Sequence, residues 1–263
     1  MSERARVAGA VIGSVPYLNA RPLVRWFTDT AEGGASGVRI VEAVPSELAH
    51  WLERGDIAAA LVSSVELFRR PGLGYAPGIG VVADGPVRSV RLLSKVPVAQ
   101  ITSVALDTSS LTSVALLKIL LAERFGLAPR YRPAAPDLAQ MLADADAALL
   151  IGDLGYRDYD PSLHVLDLGA AWKELTGLPF VYALWIGPPD CLTTRLVAAL
   201  TRARAWGTAH LDDIACQECG RLGETYERSR RYLVEVMRYH VGPREEQALE
   251  LFGQKARQHG LLP

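Results

Sequence analysis

Apolar positions along this chain follow two rhythms. Short, nearly unbroken apolar runs end at small or polar residues: Val11-Ile12-Gly13, Ile57–Val62, Val104-Ala105-Leu106, Ala147–Ile151 and Val181–Ile186. Their length and lack of alternation predict strands buried on both faces. Between them, apolar residues recur every three to four positions, as in Leu23, Val24, Trp26 and Phe27, then Leu48, Ala49, Trp51 and Leu52, then Val114–Phe125. That spacing predicts helices, and Gly55 and Gly126 stand where a left-handed residue closes a helix. Arg39–Val44 reads as a further strand. Strands alternating with helices argue for parallel βαβ units. A β-rich passage interrupts the alternation, with strands predicted at Gly78–Ala83 and Val87–Leu93 around the turn Asp84-Gly85-Pro86. From about Asp190 the pattern turns helical throughout, with helices predicted at Thr193–Trp206, Gly223–Tyr239 and Arg244–Gln258.

Two α/β runs separated by a β-rich passage predict two lobes. Lobe one is expected to hold residues 1–94 and 189–263, with the helical tail packing back on it, and lobe two residues 95–188. The crossings fall near Ser94–Val98 and Ile186–Asp190. A cleft between lobes is a preferred ligand site. The layout resembles the two-lobed periplasmic-binding-protein-like (type II) α/β fold.

Composition narrows the function classes. The chain has 263 residues, 49% of them hydrophobic and 22% charged, and a formal net charge of -1. This describes a globular protein with a full-sized core. There is no basic stripe interleaved with aromatics, so nucleic acid is not an expected partner. No apolar run is long enough to span a bilayer. Arg4 and Arg6 precede the apolar run from Val7 to Gly13. No signal-peptide cleavage pattern follows, so the run is read as strand one of a cytoplasmic protein. Three cysteines suit a reducing compartment. Cys216 and Cys219 form a C-x-x-C without a second ligand pair, which reads as two residues on one helix face.

Candidate chemistry sits where strands end. Val11–Pro22 carries Ser14 and Asn19 where the first strand passes to its helix, the place where open α/β sheets hold ligands. An ordinary loop with Asn19 as helix cap is the alternative. Asp107–Ser113 holds five hydroxyls at a helix start, which suits a carboxylate or phosphate; a cap alone needs one. Within it Ser109, Ser110 and Thr112 are candidate substrate-binding residues. Ser89 begins a strand, flanked by Arg88 and Arg91. Asp153 ends a buried strand as a possible base or hydroxyl acceptor, or as a helix cap. Thr176 precedes a Gly-Leu-Pro turn. No G-x-S-x-G elbow, H-E-x-x-H pair or Walker loop occurs, so any reaction must rest on positioning and electrostatics.

Five stretches in this order resemble one family: Val15–Leu23, Asp84–Val90, Leu106–Ser113, Leu150–Asp153 and Asp167–Val181. They are similar to the menaquinone-biosynthesis family of the futalosine route. The form Trp172-x-x-x-Thr176-Gly177-Leu178-Pro179-Phe180-Val181 resembles its chorismate dehydratase branch rather than the naphthoate-forming branch, which uses a cleft histidine. The resemblance implies a hydro-lyase that converts chorismate to 3-[(1-carboxyvinyl)oxy]benzoate with no cofactor and no metal. It carries over Asn19 and Ser89 as the catalytic pair. Ser14, Ser109, Ser110, Thr112, Asp153 and Thr176 are expected to bind substrate. A binding protein for a small acidic solute and the naphthoate-forming enzyme remain the alternatives.

Overall fold

A computed structural model describes residues 9–262; Arg4, Arg6 and the start of the run ascribed to strand one lie outside them. The chain divides into two compact units. One comprises the chain up to Val82 and Val181–Gly242, the other Ala83–Phe180 and the segment from Pro243 on.

In chain order the first unit opens with β1 (Val11–Ser14), a 3-10 turn (Leu18–Ala20), α1 (Arg21–Asp29), α2 (Ala31–Gly34), β2 (Arg39–Glu42), α3 (Pro45–Arg54), β3 (Ala59–Ser63), α4 (Glu66–Arg69) and β4 (Gly74–Ala83). The second unit follows with β5 (Val90–Ser94), β6 (Ser103–Asp107), α5 (Leu111–Phe125), β7 (Arg130–Ala134), α6 (Leu138–Ala143), β8 (Ala147–Ile151), α7 (Gly152–Tyr156), β9 (His164–Asp167) and α8 (Leu168–Thr176). The chain then returns through β10 (Phe180–Gly187), α9 (Thr194–Ala209), α10 (Leu211–Leu222), α11 (Tyr226–Arg230), a π-helical turn (Arg231–Val236) and β11 (Met237–Arg238). Helix α12 (Pro243–Gln258) completes the second unit.

The first sheet has the order β11-β4-β10-β3-β1-β2, the second β7-β6-β8-β5-β9. β1 pairs in parallel with β2 and β3, as the βαβ pattern requires, and β10 runs antiparallel to β3. The apolar runs of β3 and β10 are deeply buried: Ala59–Leu61 and Leu184–Ile186 are sealed from solvent. In the second sheet β6 lies parallel to β7 and β8, while β5 runs antiparallel to β8 and β9. Leu93, Ala105, Met141, Ala148 and Leu150 form part of its core.

Four expectations change. The strand predicted at Val87–Leu93 begins at Val90 and belongs to the second sheet, because its hydrogen-bond partners are β8 and β9. The chain therefore leaves the first sheet after Ala83, and it re-enters at Phe180, earlier than near residues 94 and 188. The tail divides: α9 to α11 stay with the first unit, whereas α12 joins the second. There Phe252 meets Trp172 and Phe180 edge-on, with ring centroids 6.4 and 5.1 Å away. The predicted helix Gly223–Tyr239 breaks into α11, the π turn and β11, and Gly80 N–H donates to Tyr239 O at the sheet edge.

Candidate functional site

In the first unit, β1 delivers Ser14 to the carboxyl edge of its sheet. Ser14 is fully buried, and its hydroxyl donates to Val15 O at 3.3 Å. Asn19 lies in the 3-10 turn beyond and is half-buried. It is not the helix cap, since Ala20 occupies that place with no side-chain bond. Its Nδ2 donates to the phenol oxygen of Tyr232, 3.3 Å away.

The turn is held from below by charge. Arg21 is buried and donates through Nη2 to Pro16 O at 3.2 Å; it also pairs with Glu42 at the end of β2 and with Glu218, 3.4 Å away. Glu218, on α10, is itself buried and takes Arg25 at 2.7 Å and Arg221 at 2.6 Å. Arg221 reaches Pro16 O as well, at 3.4 Å. A buried carboxylate with one cation would be costly; sharing three offsets its desolvation. Cys216 and Cys219 lie on this same helix, and Cys219 Sγ donates to Cys216 O at 3.1 Å, consistent with the helix-face reading.

In the second unit, sheet register gathers the candidates at one edge. β6 and β8 run parallel, with Leu106 opposite Leu149, so the loop after Asp107 and the chain after Ile151 leave together. β5 runs the other way, with Val90 opposite Ile151, so Ser89 enters at that same edge. Ser89, Asp153, Ser109, Ser110 and Thr112 are thus brought to one end of one sheet.

Ser89 is buried and tightly specified. Arg88 before it adopts φ 62°, in the left-handed region that costs a non-glycine residue energy. The Asp167 carboxylate holds that turn, accepting from Arg88 N at 2.7 Å and Val87 N at 3.0 Å. It also caps α8 by accepting from Ala170 N at 3.0 Å. On the other side Gly155 of α7 presses on the Ser89 backbone so closely that a Cβ at 155 would lie 2.1 Å from Ser89 O. Arg91 donates to Gly155 O at 2.6 Å and also to Arg157 O. These two bonds tie Arg91 to α7 and its C-terminal cap. Asp153 sits in the first turn of α7 rather than at the end of the strand, half-buried.

The hydroxyl loop is largely self-satisfied. Ser109 N and Oγ both donate to the buried Asp107 carboxylate, at 3.0 and 2.5 Å. Ser110 caps α5 by accepting from Ser113 N, and its Oγ lies 3.0 Å from Ser113 Oγ. Thr112 is fully buried. Thr176 stands apart from the edge, about 13 Å along α8 from Asp167 at the usual helical rise. Its hydroxyl donates to Trp172 O at 2.8 Å and accepts from Leu178 N, closing the helix. Trp172 Nε1 donates to Pro179 O at 2.9 Å, so both named residues of the Trp-x-x-x-Thr stretch serve the helix-to-strand corner.

The sequence reading missed Tyr232, Asp167 and Gly155. Asp167 lay within a recognised stretch, with an acid-before-helix pattern as its only local mark. Tyr232, 213 residues from its partner, carried no local mark.

With this geometry in view, the solved structures define the class. The fold is that of the periplasmic binding proteins. The chain superimposes on a protein from Archaeoglobus fulgidus with a TM-score of 0.74 at 17% identity, covering 97% of this chain and 99% of that one. It superimposes on the periplasmic aliphatic sulphonate binding protein SsuA from Escherichia coli with a TM-score of 0.67 at 16% identity, covering 97% and 89%. Residues 10–258 match the menaquinone biosynthesis family, and the chain belongs to that family. It is 35% identical to a chorismate dehydratase of Thermus thermophilus over 93% of this chain and 94% of the relative. It is 32% identical to a chorismate dehydratase of Campylobacter jejuni over 66% and 65%. Among the described residues, no helix is long and apolar enough to cross a membrane.

Proposed function

We propose that this chain is a chorismate dehydratase, a hydro-lyase that converts chorismate to 3-[(1-carboxyvinyl)oxy]benzoate and water in menaquinone biosynthesis. The observation that carries the reading is 35% identity to a chorismate dehydratase along nearly the whole of both chains. The five stretches that first suggested the family all lie within the matched residues 10–258.

The reaction breaks the C4–O bond and the C3–H bond of the ring. Aromatisation drives it, so the protein must orient the substrate and stabilise charge rather than supply a strong reagent. In this reading Asn19 hydrogen-bonds the substrate near the reacting carbons, and Ser89 holds a carboxylate or the leaving hydroxyl. A general base must come within hydrogen-bond reach of the proton it takes. The enolpyruvyl carboxylate of chorismate, folded over the ring, is the acceptor we favour. It takes the C3 proton, the hydroxyl leaves from C4, and that proton ends on the departing hydroxide as water. Ser14, Ser109, Ser110, Thr112, Asp153 and Thr176 were the expected substrate contacts. The Ser109, Ser110 and Thr176 hydroxyls already hold internal hydrogen bonds, so the reading leans most on Asn19 and Ser89. The reading places the protein in the cytoplasm, with no nucleic acid or membrane partner. The unpaired Cys191, Cys216 and Cys219 suit that compartment.

The test is to incubate the protein with chorismate and follow the loss of its diene absorbance, identifying the product by mass. An aromatic product lighter than chorismate by the mass of one water supports the reading. Saturable binding without turnover would make the chain a binding protein for acidic solutes. Turnover of a cyclic futalosine derivative instead would assign it to the naphthoate-forming branch.

A further inference from the structure

We infer that Tyr232 is the positioning residue for Asn19: its phenol oxygen takes one hydrogen of the Asn19 amide and fixes the plane in which the rest of that amide meets a ligand. The inference rests on the reading that Asn19 contacts substrate.

Three observations converge. First, a primary amide offers two donors and an acceptor and rotates freely unless one of them is tied. Asn19 Nδ2 is tied to Tyr232 across 213 residues of sequence. No other hydrogen bond engages the amide among the described residues, so its second hydrogen and Oδ1 remain for a ligand. Second, Tyr232 is buried. It is 2% exposed and lies beside Tyr239, whose phenol is buried, without a hydrogen-bond partner among the described residues, and pushed well above the usual tyrosine range by burial. Packing alone in such a place asks for a phenylalanine. The Tyr232 hydroxyl is the part that reaches the Asn19 turn.

Third, the backbone around Tyr232 departs from the regular helix. Arg231–Val236 is a π-helical turn between α11 and β11. Each such turn admits an extra residue and re-aims the side chains on it, which is why these turns recur at functional sites. The Asn19 turn is thus held twice by the C-terminal helices. Arg221 of α10 holds the backbone at Pro16, and Tyr232 holds the side chain of Asn19 itself.

The role differs from a structural one in what it predicts. Tyr232→Phe keeps the ring and removes only the oxygen. We expect kcat for chorismate to fall about tenfold, the value of one lost hydrogen bond expressed in the transition state, with KM and melting temperature nearly unchanged. In the Asn19→Ala background the same change should have no further effect, because residues that act through one contact are not additive. Where Asn19→Ala leaves too little turnover to measure, calorimetric affinity for 3-[(1-carboxyvinyl)oxy]benzoate closes the cycle. An unchanged kcat in Tyr232→Phe, or a full effect that persists with Asn19 removed, overturns the inference. If Asn19→Ala itself turns over normally, it is the reading of Asn19 that fails. Should Tyr232→Phe not fold, 3-fluorotyrosine at position 232 keeps the packing and weakens the oxygen as acceptor; unaltered turnover there also overturns the inference.

Discussion

At the scale of single residues, the most constrained position is Ser89. The left-handed Arg88, the Asp167 carboxylate and the Gly155 backbone fix it from three directions. Such strain persists only where surrounding contacts over-determine it. Gly155→Ala should therefore act on Ser89. The new methyl can be accommodated only by moving backbone, at a cost of about 1–3 kcal/mol. We expect a lower melting temperature and a larger proportional loss of kcat, read from thermal unfolding and steady-state assays on one preparation. Asp153 supplies the complementary test of the proton's destination. If the substrate carboxylate accepts it, Asp153→Asn keeps much of the turnover, while Asn19→Ala and Ser89→Ala each lose most of it. Abolished turnover in folded, chorismate-binding Asp153→Asn would move the base to Asp153.

At the scale of elements, three hydroxyls expected as ligand donors also hold structural joints. Ser109 and Ser110 secure the start of α5, and Thr176 secures the end of α8. The joint at the start of β6 has a measurable pH signature. Asp146 accepts from the Thr102 hydroxyl and N–H and from those of Ser103, which pulls its pKa down to about 2. A carboxylate depressed in the folded state adds stability above its unfolded pKa, near 4, and loses it as pH falls toward the folded value. In urea unfolding, Asp146→Asn should be less stable than the parent chain at pH 6. The gap should narrow progressively from about pH 4 toward pH 2, where the native carboxyl also becomes neutral. A gap that stays constant through that window would show that the hydrogen bonds do not depend on the charge.

At the scale of the whole molecule, α12 decides how the last residues are used. Phe252 is buried against Trp172 and Phe180, so the second unit is completed by a helix that follows the entire first unit in sequence. Phe252→Ala should cost about 3–5 kcal/mol, as large aromatic truncations in cores do. A chain ending at Gly242 should lose the second unit's cooperative unfolding. Limited proteolysis that cuts first between Ala83 and Phe180 would report it.

What the sequence determined by itself is local. Apolar runs set β1, β3, β6, β8 and β10, because a strand buried on both faces cannot carry polar residues. Gly55 and Gly126 set helix ends, because a left-handed residue is needed there. Asn19 and Ser89, the proposed catalytic pair, stand out only through the stretches that contain them. Tertiary structure alone decided the rest, because those features depend on pairing between distant segments. An apolar run shows that a strand is buried but not which sheet buries it, so Val90–Ser94 and α12 were placed by partners that composition cannot name. The periodicity of Gly223–Tyr239 fitted one helix until pairing with β4 drew its end into a sheet edge. Whether a hydroxyl faces a ligand or its own backbone is likewise a matter of direction. Direction at Ser109, Thr176 and Tyr232 is set by which neighbour the fold puts within about 3 Å.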